Sequence, residues 1–138
     1  MLALANLTEQ PEVNKIRCSF TTVDLFVEKN KTKVDFIKCD VEGAEFLVFK
    51  GAQETLRRDK PVIFTEMLRK WSAPFNYHPN DMIKFFADLS YDCFVIEDGE
   101  RLQRFTTVDE MTVETNYIFC HRDKIGEIGD LLVLPASS

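Results

Sequence analysis

Asp40, Glu42 and Glu66 are the side chains in this sequence best placed to handle a proton. Asp40 closes the apolar run Val34-Asp35-Phe36-Ile37-Lys38-Cys39, and Glu66 closes Val62-Ile63-Phe64-Thr65. If both runs are strands of one open α/β sheet, both carboxylates stand at its carboxyl edge, where such sheets bind ligands. A carboxylate there could accept a hydrogen bond from a substrate hydroxyl or act as its general base. The plainer readings make Asp40 a helix N-cap, Glu42 a first-turn partner of the helix dipole and Glu66 a solvated strand end. Asp24 could line the same edge.

Other chemistry is thinner. Trp71, Phe75 and Tyr77 follow Glu66 and could wall an acceptor pocket, or simply cover the sheet end. His78 and His121 lack the carboxylate spacing of a metal site, and no Ser-His-Asp or Cys-His arrangement is legible. Cys18, Cys39, Cys93 and Cys120 make no C-x-x-C; the last three lie in apolar runs and read as buried, reduced thiols of a cytoplasmic protein. The five glycines never form G-x-G-x-x-G. A net charge of −6, with basic residues scattered, argues against a nucleic-acid partner. No apolar run approaches the roughly 20 residues that cross a bilayer, so no membrane partner is expected.

The elements that must position the carboxylates follow from periodicity. Residues 34–39 and 62–67 read as strands. Between them Ala44, Leu47, Val48, Gly51, Ala52 and Leu56 share one face of a helix running to about Arg58, with Gly51 allowing close approach to a sheet. Strand, helix, strand over this length implies a parallel pair. A helix around Met82, Phe85, Phe86 and Leu89 follows, starting near Asn80 or Asp81. Strand 91–97, a hairpin arm at 101–105 after Asp98-Gly99, and a last strand at 115–121 complete the list. Upstream, 16–23 alternates and reads as a short strand, and 24–30 as one helical turn. The expected division is a loosely attached lead at 1–15, one α/β domain at 16–121 and a tail at 122–138. The fold class is a partial Rossmann-like α/β sheet, parallel in its first strands with an antiparallel last strand.

The run Asp40-Val41-Glu42-Gly43-Ala44-Glu45, then Lys50-Gly51-Ala52, then Lys60-Pro61-Val62-Ile63-Phe64-Thr65-Glu66, resembles the signature of FkbM-type methyltransferases. Thr22-Val23-Asp24 resembles the Thr-Leu-Asp that precedes this region in the family, and Asn116-Tyr117-Ile118-Phe119 its closing strand. The resemblance covers roughly residues 20–121 and implies the C-terminal half of a methyltransferase domain. The family's opening strand, Gly-containing loop and acidic second-strand end, which hold S-adenosylmethionine, have no counterpart in the sequence.

The resemblance implies transfer of a methyl group from S-adenosylmethionine to a hydroxyl of a sugar or other small polar metabolite, with Asp40, Glu42 and Glu66 as catalytic residues. The alternative is a non-catalytic α/β module that associates with other proteins through an exposed sheet edge. Such an edge would sit at strand 34–39, either covered by the segment 16–23 or paired in a homodimer.

Overall fold

The computed structural model describes residues 14–68 and 73–133. Among these residues five strands form one sheet: β1 (Phe36–Cys39), β2 (Val62–Glu66), β3 (Tyr91–Glu97), β4 (Arg101–Arg104) and β5 (Asn116–His121). Their order across the sheet is β1-β2-β5-β3-β4. β1 and β2 are parallel, with Cys39 opposite Thr65, and every other pairing is antiparallel. The α/β class, the parallel first pair and the antiparallel last strand are as the sequence implied.

Among the described residues four α-helices accompany the sheet: α1 (Val23–Asn30), α2 (Glu45–Lys50), α3 (Gln53–Asp59) and α4 (Pro79–Asp88). Strand alternation divides the core between the two faces. On one, Phe49, Ala52 and Leu56 of the α2–α3 region and Met82 and Phe86 of α4 cover Ile63, Cys93 and Phe119. Phe86 stacks on Phe119 with ring centroids 4.1 Å apart. Fully burying side chains of this size contributes about 1.5–3 kcal/mol each. On the other face, Phe94, Leu102 and Cys120 are closed over by Ile125, Ile128 and Leu132. Those three come from or flank a 3-10 segment, Arg122–Leu131, anchored where Val133 N donates to Leu102 O at 2.9 Å.

Three expectations need correction. Residues 14–22 form no strand. Thr22 caps α1 instead, its hydroxyl accepting from Leu25 N at 3.1 Å, and the helix runs for two turns rather than one. A Thr followed by helix-compatible residues is a start signal, and it outweighs the period-two pattern upstream. The edge at strand 34–39 is open: β1 lies at the sheet edge and Phe36 is 57% exposed. No described residue pairs with the outer edge of β1, so the segment from 14 to 22 does not cover it.

The third correction concerns the helix read as continuous from Ala44 to Arg58. It breaks at Gly51-Ala52 into α2 and α3. The break has a tertiary cause. Asp24 N donates to Gly51 O, and the Asp24 carboxylate accepts from Glu54 N and Thr55 N at 3.1 and 2.9 Å. Asp24 thus caps α3 from outside it, satisfying donors that a continuous helix would have used internally. Gly51 permits the approach of Thr22, not of the sheet: a Cβ there would lie 3.1 Å from Thr22 Cβ.

Candidate functional site

β1 and β2 end side by side, with Glu66 the last residue of β2 and Asp40 the residue after β1, at the same edge of the sheet. Between β1 and α2 the chain makes a tight turn, Asp40-Val41-Glu42-Gly43. Glu42 has φ 57° and Gly43 φ 103°, both in the left-handed half of conformational space. For a glutamate that conformation costs roughly 1–2 kcal/mol. Asp40 does not cap the helix that follows. The cap position is Ala44, which offers no side-chain hydrogen bond. The Asp40 and Glu42 side chains are therefore not consumed by the role that the plainer reading gave them.

Glu42, Gly43, Glu45, Glu66 and Leu68 line a small crevice of about 10 Å3, room for about one water molecule. Burial pushes the Glu66 carboxyl above the ordinary glutamate value. Asp40 adds to the shift by charge and by a shared hydrogen bond, and Glu45 and Glu42 add their negative charge. The Glu66 carboxyl therefore holds its proton more tightly than an ordinary glutamate, with Asp40 as its acidic neighbour. The structure thus brings Asp40, Glu42 and Glu66 together at one edge. No cluster among the described residues has the geometry of a metal site.

Two residues of this neighbourhood escaped the sequence reading in their actual roles. Glu45 is 3% exposed, and its Oε1 accepts from Val41 N at 3.0 Å. It folds the turn back on itself rather than merely facing the helix dipole. Tyr77 Oη donates to Gly43 O at 2.8 Å, and its ring meets Phe46 edge-on at 5.1 Å. Burial and the nearby Glu45 push the Tyr77 hydroxyl up to about 12, so it remains a donor. The legible signal for Glu45 was an acid one helical turn beyond a strand end. Nothing in the sequence reports the Tyr77 bond, which spans 34 residues. Phe75 is 43% exposed, and Trp71 lies outside the described residues.

The remaining candidates are structural. Asp24 is spent on α3. His78 caps α4, its Nδ1 accepting from Asn80 N while Asp81 Oδ2 accepts from His78 N, so the helix starts one residue before Asn80, at Pro79. His121 is buried and its Nδ1 accepts from Asp123 N. Cys39, Cys93 and Cys120 are buried free thiols, and burial raises all three. An apolar groove of about 320 Å3 between α1 and α2 is roomier than the acidic crevice, but its lining, Thr21, Thr22, Val23, Phe26, Leu47, Val48 and Gly51, holds no titratable side chain.

Parallel strands joined through helices, with a carboxylate turn at their carboxyl edge, define an α/β domain of the kind that acts on small ligands at that edge. The family model described as the methyltransferase FkbM domain matches residues 4–93, well over half of the sequence and including the whole of this turn. The chain belongs to the FkbM methyltransferase family, and methyl transfer is the general activity that membership indicates. No curated protein and no solved structure matches it. No helix among the described residues is long and apolar enough to cross a membrane.

Proposed function

We propose that the chain serves S-adenosylmethionine-dependent O-methylation of a small polar acceptor, a sugar or similar polyol, and that Asp40, Glu42 and Glu66 form its acceptor side. The supporting observation is the placement of Asp40 beside Glu66 at the carboxyl edge of two parallel strands, where burial and Asp40 raise the Glu66 carboxyl. A hydroxyl that gains a methyl group must lose its proton. A carboxylate whose affinity for protons is raised above the ordinary value is a better base for that task. The acidic donor set also fits the methyl donor by charge, since a sulfonium is a cation and Asp40, Glu42 and Glu66 make no ion pair among the described residues.

When bound, S-adenosylmethionine supplies an electrophilic methyl group. The chain's own residues do the rest. Asp40 orients the acceptor hydroxyl by accepting its hydrogen bond. Glu66, held close to Asp40, receives the proton. Glu42, on the strained turn, would add negative charge that suits a cationic sulfonium. The proposed compartment is the cytoplasm, where the buried thiols stay reduced.

The test is methyl transfer from radiolabelled S-adenosylmethionine to a panel of monosaccharides, alongside calorimetric titration of the same compound into the purified protein. Label should appear in a polyol acceptor, and Asp40→Asn and Glu66→Gln should each lower the rate by roughly 10²- to 10⁴-fold. Full activity in both variants would refute the assignment.

A second reading is favoured by one observation: β1 presents an outer edge that no described residue pairs, beside a Phe36 that is 57% exposed. Such edges pair with other strands, and a second copy of the chain is the proposed occupant. Light scattering across a concentration range should show a dimer that Phe36→Lys weakens; a monomer at all concentrations would exclude it.

A further inference from the structure

The turn that carries Asp40 and Glu42 has little of its own to hold it. Its internal backbone bond, Ala44 N to Val41 O, is 3.3 Å long. Glu42 sits in the left-handed region, which a glutamate in a free chain would leave. Two side chains from outside the turn close the gap. Glu45, from the first position of α2, accepts from Val41 N at 3.0 Å. Tyr77, from the segment entering α4, donates to Gly43 O at 2.8 Å.

We infer that Glu45 and Tyr77 are positioning residues, which pin the Asp40–Gly43 turn at both of its ends and so present Asp40 to Glu66. The two clamps differ in kind. Glu45 is fixed by burial at the base of the crevice. Tyr77 is fixed by its ring, edge-on to Phe46, which in turn meets Phe85 of α4 edge-on at 5.4 Å. The turn therefore takes its shape from α4 as well as from the two strands it joins. Loss of either clamp lets Glu42 relax out of its left-handed conformation and carries Asp40 away from Glu66. Neither residue touches a reacting atom; both act through the backbone of the turn.

This inference rests on the proposed role of the crevice, and its test is chosen to be independent of activity. Tyr77→Phe keeps the ring and removes only the donated bond. Glu45→Leu removes the acceptor, whereas Glu45→Gln retains an oxygen that can accept from Val41 N. In the ligand-free protein, the expected results are faster exchange of the Val41 amide in Tyr77→Phe and Glu45→Leu, by roughly two- to tenfold, and near-native exchange in Glu45→Gln. Carbon-detected NMR titration of Glu66 should show its midpoint moving down in Tyr77→Phe, a change with no effect on local charge. Variants that melt earlier yet keep native Val41 exchange and a native Glu66 titration would mark the two residues as merely structural and overturn the inference. Absence of methyl transfer in the wild-type protein would instead refute the proposed function and leave these readouts standing.

Discussion

Asp24 Oδ1 accepts a hydrogen bond from Thr55 Oγ1 at 2.7 Å, across 31 residues of sequence. With the two backbone bonds it also accepts, this one carboxylate satisfies three donors at the start of α3. Asp24→Ala leaves those donors open, and Thr55 is 1% exposed, so water cannot fully replace the lost partner. The variant should be destabilised by about 1–2 kcal/mol in urea unfolding. Asp24→Asn, which keeps one acceptor oxygen, should recover part of that loss. Equal stability of Asp24→Ala and wild type would remove the cap from the account.

Gly51→Ala tests the same junction from the other side. In an ordinary helix the change would stabilise by about 1 kcal/mol. Here the new Cβ meets Thr22 Cβ at 3.1 Å and Cγ2 at 3.2 Å. Thr22 cannot easily yield, because its hydroxyl caps α1. The expected outcome is net destabilisation of about 1 kcal/mol, read from the urea midpoint; a stabilised variant would show that α1 can move.

Asp59 is expected to contribute to the acid limb of stability. Its side chain is 6% exposed, pairs with Arg58 at 2.8 Å and accepts from Val34 N at 3.0 Å. The Arg58 hydrogen bond outweighs burial and holds the carboxyl at about 2, below the ordinary aspartate value of 3.8. A depressed folded value means stability that is present above the unfolded value and lost as pH falls through the folded one. The window is therefore about pH 4 down to 2. Asp59→Asn should lower stability at pH 7 by about 1–2 kcal/mol, discounted because Arg58 is solvent-exposed, and should flatten the loss below pH 4. An unchanged acid limb would mean that other carboxylates control it.

Much of the sheet was legible because its strands are short apolar runs bounded by clear stops. Lys60-Pro61 ends α3, and Asp98-Gly99 sets the β3–β4 hairpin. The carboxyl-edge placement of Asp40 and Glu66 followed from the strand, helix, strand order alone. What failed depended on contacts remote in sequence. Residues 44–58 keep a helical period across Gly51-Ala52, so nothing local betrays the break that Asp24 stabilises. The segment 16–23 alternates, but alternation makes a strand only where a partner edge accepts it, and Thr22 starts a helix instead. Tyr77 looked like pocket wall because an aromatic on a loop gives no sign of which carbonyl its hydroxyl reaches.

His121 supplies a test in the neutral range. It is 8% exposed and packs edge-on against Tyr91 at 5.1 Å. Its Nδ1 accepts from Asp123 N at 3.1 Å, which starts the 3-10 segment Arg122–Leu131 that covers the second sheet face. Only the unprotonated nitrogen can accept, so protonation removes this cap. Burial lowers the imidazole below its usual value. Lys60, Lys124 and Arg122 push the same way, and Asp123 opposes them. A histidine depressed in the folded state contributes stability that is full above the unfolded value of 6.5 and is lost as pH falls through the lower folded value. Stability measured by urea unfolding should therefore decline as pH falls below 6.5, a loss that begins well above the Asp59 window. His121→Asn, which can still accept from Asp123 N but does not titrate, should abolish that decline while keeping the cap. The same variant should keep the amide protection of Ile125 and Ile128 native as pH falls below 6.5, while the wild-type protein progressively loses it. A wild-type protein equally stable at pH 7 and pH 5 would show that the imidazole does not control the attachment of this segment.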